Sequence, residues 1–203
     1  GELEHRAQGS ERITHIRLYA IGVDLHCRGV EHGVGHLAGK HSPPYEIVEP
    51  ELNNPLDTEA NAEKGINPPA LVFSPSSVST SIGGNAILRV YVMEVTGVAG
   101  IHAKIQYDNT KLTVSDVSPG TFFNSTQPPI FIYEDNAGVL DIFTFYLGSD
   151  KTKDGTGDVA LITFRPTLAG QSQVQFTDES ELVDPNDQPI TINGLGQGVV
   201  NAQ

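Results

Sequence analysis

Two short stretches of alternating apolar and polar residues constrain the fold of this chain more than any other feature. They run from Ile101 to Tyr107 and from Leu112 to Val117, with the polar residues 108–111 between them. Alternation with period two is typical of β-strands that have one buried and one solvent-facing side. The apolar side of the first stretch consists of Ile101, Ala103, Ile105 and Tyr107. Its other side, which is predicted to be free to bind a partner, consists of His102, Lys104 and Gln106.

After about residue 66, the sequence consists of short apolar stretches separated by turn residues. Turn signals such as Gly83-Gly84-Asn85 and Asn136-Ala137-Gly138 separate them, and no stretch there has the helical period. Strands are predicted near Leu71, Ala86, Ala99, Leu112, Ile130, Val139, Asp158, Gln173, Leu182, Ile190 and Gly198. Roughly nine to eleven short strands at regular spacing indicate a sandwich or a barrel. The predicted fold class is therefore all-β.

The charge balance argues against one class of partner. The chain of 203 residues has a net charge of -13 and only 12 Lys and Arg residues, whereas nucleic-acid binding needs clustered basic side chains. No apolar run approaches the roughly 18 to 20 residues of a membrane-spanning helix. Cys27 is the only cysteine, so no disulfide can form within the chain. We expect a soluble, acidic protein outside the cell or at its surface; the start at Gly1 leaves room for a removed leader.

Residues 1–65 differ from the rest of the chain and are interpreted as an N-terminal extension followed by a linker. Six of the seven histidines lie in the first 41 residues, but the spacing of His26, Cys27, His32, His36 and His41 matches no standard metal site. From Ser42 to Pro69 the composition turns to Pro, Asn, Glu and Ala, which is typical of linkers. The module is therefore predicted to span residues 66–203. Whether the extension is native, leader-derived or vector-derived stays open.

The predicted module offers little for catalysis or for a metal. It has one histidine, His102, and no cysteine, so a nucleophile with its base is not evident. The carboxylates of Asp141, Asp150, Asp154 and Asp158 are the candidates for a catalytic acid pair, but the sequence does not show how far apart they lie. The loop 150–158 resembles a calcium loop but has Leu161 where the bidentate Glu should stand, which favours a plain hairpin. No enzyme activity, cofactor or metal is therefore predicted.

The stretch from Val139 to Leu147 is apolar at almost every position. With Phe143, Phe145 and Leu147 turned inward, the outward ladder would consist of Leu140, Ile142, Thr144 and Tyr146. An exposed apolar ladder usually marks a binding surface. On this interpretation, Ile142→Asp removes binding without unfolding the protein. The alternative left open is a central strand covered on both sides, because such strands also appear as continuous apolar runs.

Several segments resemble the cohesin family. Val98-Ala99-Gly100-Ile101 leads through Tyr107-Asp108 to Leu112-Thr113-Val114, in the pattern of the family's third strand, turn and fourth strand. Residues 154–164 are similar to the family's strand with small polar residues before Ala-x-Ile-x-Phe. Residues 182–184, 189–190 and 198–200 are similar to its closing strands. The resemblance covers roughly Pro69 to Ala202.

This resemblance implies a nine-stranded jelly-roll sandwich without catalytic activity. It further implies a cellulosome-like interaction module that binds a dockerin on the sheet containing the family's third, fifth and sixth strands. By position, the partner-binding residues would be His102, Lys104, Gln106, Ile132, Leu140, Ile142, Thr144 and Tyr146. Type I members carry Asn and Asp where Gly100 and His102 stand here, so a conventional type I dockerin is not the expected partner.

Two other functions stay open at this point. The same architecture hosts carbohydrate-binding modules, and Tyr91, Tyr133 and Tyr146 would be the candidates for an aromatic strip against a polysaccharide. The chain has no Trp, which disfavours a sugar platform. The other function is that of a structural domain within a larger surface or secretion protein.

Overall fold

The computed structural model describes residues 52–124, 128–148 and 151–203. This part of the chain contains one short helix, α1 (Thr58–Glu63), and thirteen strands. The first seven are β1 (Ala70–Ser74), β2 (Ser77–Thr80), β3 (Ala86–Val98), β4 (Gly100–Tyr107), β5 (Leu112–Pro119), β6 (Ile130–Asp135) and β7 (Val139–Phe145). The others are β8 (Lys153–Pro166), β9 (Gly170–Phe176), β10 (Glu181–Val183), β11 (Pro189–Ile190), β12 (Gly194–Leu195) and β13 (Gln197–Ala202).

The strands form two sheets, which confirms the predicted all-β sandwich. One sheet has the order β12-β1-β3-β8-β5. The other has the order β11-β10-β4-β9-β13-β2, with β7 paired to β4 and β6 paired to β7. The observed count exceeds the nine strands implied by the family because two-residue strands such as β11 and β12 are included. The alternating stretches of the sequence are β4 and β5, and they belong to different sheets.

The core lies between the inner sides of the two sheets. In β3, Leu88, Val90 and Val92 alternate inward with exposed or half-buried residues between them. Phe73 of β1 stacks on Phe176 of β9, with 4.3 Å between ring centroids and 12° between the planes. Contact between aromatic residues of opposite sheets is what a sandwich requires, because alternate side chains of each strand must fill the space between the layers. Hydrophobic burial between the sheets therefore fixes which side of each strand faces outward.

Residues 52–68 also pack on the sandwich. The fully buried Asn53 accepts a hydrogen bond at 2.7 Å from the Phe73 amide and donates one to the Gln197 carbonyl. Asn61 of α1 is buried too, and its Nδ2 lies 3.4 Å from the sulfur of Met93. Ile66 packs with Met93 in a small second cluster that covers the outer side of β1 and β3. The structure thus differs from the linker interpretation for residues 52–65, because composition does not show that amide side chains are bonded to the sheets.

A second polar contact ties β4 to the edge of its sheet. The Tyr107 hydroxyl donates a 2.6 Å hydrogen bond to Oδ1 of Asp135, at the end of β6. Burial of the ring, followed by this hydrogen bond, raises the pKa of Tyr107 to about 12. The neutral phenol is therefore part of the folded structure.

We expect Asn53→Ala to lower the free energy of unfolding by about 2 to 3 kcal/mol, because it leaves the buried Phe73 amide without a partner. Urea denaturation of the full chain followed by circular dichroism measures this loss. Leu56→Ala is the control, since Leu56 lies in the same segment and is 87% exposed. Equal stability of Asn53→Ala and wild type would show that the hydrogen bonds of Asn53 do not stabilise the folded unit.

We expect the free energy of unfolding to fall between pH 10 and about 12, by an amount on the order of 2 kcal/mol from Tyr107 alone. The reason is that the unfolded phenol ionises near pH 10, so over this range the unfolded state releases its proton first. Denaturation of wild type and Tyr107→Phe at several pH values measures the difference, with Tyr133→Phe, 46% exposed, as the control. Parallel profiles for wild type and Tyr107→Phe would contradict the prediction.

Candidate functional site

The outer sides of β4, β7 and β6 form one continuous surface, named here the β4–β7–β6 face. The strand register aligns His102 with Phe143, and Phe143 with Ile132. Two residues further along β4 it aligns Lys104 with Asp141, and two residues back it aligns Gly100 with Phe145. Directly opposed residues of neighbouring strands point to the same side of a sheet. The face includes Gly100, His102, Lys104, Gln106, Ile130, Ile132, Asp141, Phe143 and Phe145.

Four residues predicted to lie on this surface face the core instead. Leu140 and Ile142 are 0% exposed, Thr144 is 2% exposed and Tyr146 is 9% exposed. The outward ladder predicted for this strand is therefore wrong, and so is the expectation that Ile142→Asp leaves the fold intact. Both sets of alternate residues in the strand contain large apolar side chains, and Asp141, on the same side as Phe143, is the only charged residue among them. The apolar side chains alone did not determine which set is buried. The register with β4 does, because Ile105 lies opposite Leu140 and Ala103 opposite Ile142.

The remaining predicted residues lie on the outer side. His102 and Lys104 are partly exposed, with 22% and 23% of their side chains accessible, and Gln106 is exposed. Ile132 is 54% exposed on the edge strand β6. The face residues that the sequence interpretation missed include Phe143 and Phe145, which it turned inward, Asp141, which it considered only as a member of an acid pair, and Ile130, which it assigned only to a strand. Two signals would have found them: the alternation in β4, extended to the paired strand, and the charged Asp141 on the same side of β7 as the two phenylalanines.

The two basic side chains of this face are each held by a carboxylate. His102 Nε2 lies 2.7 Å from Asp141 Oδ1, and the His102 ring stacks on Phe143 with 4.2 Å between centroids. Lys104 Nζ donates a 2.5 Å hydrogen bond to Oε2 of Glu179, and that bond raises the pKa of Lys104. These pairs hold His102 and Lys104 in place beside the apolar centre formed by Ile132, Phe143 and Phe145.

An open pocket of about 510 Å³ lies at the end of the face where β4 begins. Gly100, Phe143 and Phe145 contribute to it from the face, and Glu181 and Val183 contribute from β10. Gly100 is required there, because a Cβ at that position would lie 2.8 Å from a Val183 methyl group and 3.3 Å from the Phe145 Cβ. The close approach of Val183 and Phe145 over the Gly100 backbone thus depends on the absence of a side chain.

The tyrosines considered for a sugar platform do not form a strip. Tyr91 lies on β3 in the other sheet and packs against the cluster of Ile66 and Met93. Tyr146 is buried and contacts Phe123 edge-on, with 4.9 Å between ring centroids. Tyr133 alone is substantially exposed, on the edge strand β6. The arrangement therefore does not favour carbohydrate binding.

The carboxylates considered for catalysis or metal binding are also dispersed among the described residues. Asp141 lies in a different sheet from Asp154 and Asp158, which belong to β8. Asp154 accepts a hydrogen bond from the Gly97 amide at 2.6 Å, and Asp158 contacts Arg89 at 3.4 Å. Asp150 and the histidines of the N-terminal extension lie outside the described residues. Within residues 52–124, 128–148 and 151–203, no group of three or more His, Cys, Asp or Glu could hold a metal ion.

No helix in the described part of the chain is long and apolar enough to cross a membrane. The only helix there, α1, has six residues.

Comparison with solved structures finds the same sandwich in several cohesins. The non-cellulosomal cohesin from the hyperthermophilic archaeon Archaeoglobus fulgidus is 19% identical, with a TM-score of 0.55 over 66% of this chain and 90% of that chain. A type II cohesin domain from the cellulosome of Acetivibrio cellulolyticus is 19% identical, with a TM-score of 0.55 over 65% of this chain and 93% of that one. A type I cohesin–dockerin complex from Clostridium thermocellum gives 17% identity and a TM-score of 0.54 over 66% and 98%.

At these identities, the structural likeness shows the fold alone. No curated protein matches the chain. The sequence model of the cohesin domain, however, matches residues 71–200, which is well over half of the chain. The chain therefore belongs to the cohesin family.

Proposed function

We propose that this cohesin is a non-catalytic module that binds a dockerin through the β4–β7–β6 face. The observation that carries the proposal is the apolar centre of the face, where Ile132, Phe143 and Phe145 are at least partly exposed to solvent. Apolar and aromatic anchors surrounded by a polar margin are typical of protein interfaces. The margin consists of His102, Lys104, Gln106 and Asp141.

The identity of the partner is supported by the family. The matching structure from Clostridium thermocellum is a complex of a cohesin with a dockerin. The β4–β7–β6 face occupies the sheet on which the family resemblance puts the dockerin. Gly100 and His102 stand where type I members carry Asn and Asp, so the proposed partner is a dockerin that does not depend on those two side chains. Cohesin modules of this kind act outside the cell or at its surface, and we propose that location here.

The polar part of the same sheet is not proposed to bind the partner. On β9, the outward residues include Gln171 and Gln173, which are both exposed, and Asn201 of β13 lies opposite Gln171. Amide side chains are well hydrated and offer no apolar anchor for an interface. This region therefore supplies a control surface with the same backbone geometry as the β4–β7–β6 face.

We expect Phe143→Asp to weaken dockerin binding by about 30-fold or more, since loss of an anchor costs about 2 kcal/mol or more. The measurement is calorimetric titration of the full chain with purified type I and type II dockerin modules. Gln173→Asp is the matched control, because it adds the same charge to the same sheet outside the face, and it should bind as wild type does. Ile132→Asp tests the edge of the face independently. Undiminished binding by both Phe143→Asp and Ile132→Asp would contradict the proposed face.

We expect Ile142→Asp to unfold the protein or to lower the free energy of unfolding by about 4 kcal/mol or more, because it puts an unpaired carboxylate into the core. Urea denaturation compares this variant with Phe143→Asp, one position along the same strand. A variant Ile142→Asp within about 1 kcal/mol of wild type would show that the inner and outer sides of β7 have been exchanged.

A further inference from the structure

The pocket at the end of the β4–β7–β6 face combines an aromatic floor with an acidic rim. Phe143 and Phe145 line it from β7, Val183 lines it from β10, and Pro185 lines it from the loop that follows. Three carboxylate residues of β10 and this loop, Glu181, Asp184 and Asp187, also line it. The pocket thus offers apolar surface to the stem of a long side chain and negative charge to its end.

No lysine or arginine lines the pocket, and its one basic residue already has a partner. His102 is held by Asp141, as described above. The nearest lysine of the face, Lys104, is held by Glu179. Among the described residues, the carboxylate of Glu181 has neither a hydrogen bond nor an ion pair, although its backbone is fixed opposite His102. The unpaired charge that the pocket offers to a ligand is therefore negative.

The loop after β10 is itself well ordered by its own hydrogen bonds. Oδ1 of Asp184 accepts hydrogen bonds from the backbone amides of Asn186, at 2.7 Å, and Gln188, at 2.9 Å. These bonds, the one from Gln188 first, lower the pKa of Asp184, so its carboxylate stays ionised at neutral pH. The wall that carries Asp187 and Pro185 is thus a fixed part of the pocket.

We propose that this pocket binds an arginine side chain presented by the protein partner, so that Glu181 pairs with the guanidinium group while the stem of the side chain lies over Gly100 and Phe145. The inference rests on the proposed function, because the partner must lie on the adjoining face to present that side chain. Arginine fits better than lysine for two reasons. A guanidinium group stacks on aromatic rings, and it is less strongly hydrated than an ammonium group. It also pairs with a carboxylate through two parallel hydrogen bonds.

Other ligand classes fit the pocket less well. An anion would be repelled by three carboxylates, and a neutral sugar would leave the charge of Glu181 without a partner. A metal ion is disfavoured because one oxygen of Asp184 is already committed to backbone amides. A long basic side chain satisfies both the acidic rim and the aromatic floor.

The test uses N-acetyl-L-arginine N-methylamide as the probe and N-acetyl-L-citrulline N-methylamide, which has the same length but no charge, as its control. Amide shifts of the isotopically labelled full chain are followed by NMR during titration. We expect the arginine probe to shift the amides of Gly100, Glu181 and Val183, and the citrulline probe to bind at least two-fold to five-fold more weakly, as the loss of a partly exposed ion pair implies. Glu181→Gln should weaken the arginine probe by about the same factor.

Glu63→Gln is the matched control, because Glu63 lies on α1, which packs on the other sheet, and this variant should bind the arginine probe as wild type does. Equal binding of the two probes, unchanged binding by Glu181→Gln, or shifts spread over acidic residues outside the pocket would overturn the proposal. Because no dockerin takes part, the outcome is independent of the calorimetric test. If the protein binds a dockerin but the pocket does not bind arginine, only the pocket proposal is refuted. If the pocket binds arginine but the protein binds no dockerin, only the proposed function is refuted.

Discussion

The pairing of β4 with β7 is the interaction on which the rest of the structure depends. β4 has one unambiguous apolar side, and its register with β7 transfers that distinction to a strand that has large apolar side chains on both sides and one charged residue, Asp141, on the outer side. The same register brings Phe143 onto His102 and Asp141 alongside it. From β7, the distinction passes to β6, where Ile132 lies opposite Phe143. The β4–β7–β6 face, which we propose as the binding face, therefore owes its orientation to a single strand at its margin.

The sequence was sufficient for the fold and insufficient for part of the face. Alternation in β4 and β5, together with regular turn signals, indicates a sandwich because a half-buried strand must alternate, and the ordered motifs point to the family. In β7, by contrast, Ile142 and Phe143 are both large and apolar, and the single charge of Asp141 is the only sign in the strand itself that the side of Phe143 faces outward. The hydrogen bonds of Asn53 could not be predicted from the sequence either, because the residues around an asparagine in a polar segment do not indicate a partner 20 or 144 residues away.

Charge gives the face its directionality. An apolar centre is common to many interfaces. In this one, the basic groups are bound by Asp141 and Glu179, while no lysine or arginine stands among the described residues that line the acidic pocket. Such an arrangement discriminates against partners with a negative end as strongly as it attracts those with a positive one. Shape would then determine where the partner lies, and the asymmetry of charge would determine which way round it lies.

The side chain of Asn53 joins the two layers of the sandwich, since Phe73 belongs to one sheet and Gln197 to the other. The cohesin match begins at residue 71, eighteen positions later than this amide. A fragment cut at the limits of homology would retain every strand residue of the binding face and yet lose the cross-link between the layers. For this protein, the strands that carry the proposed binding face and the residues that join the two sheets thus have different N-terminal boundaries.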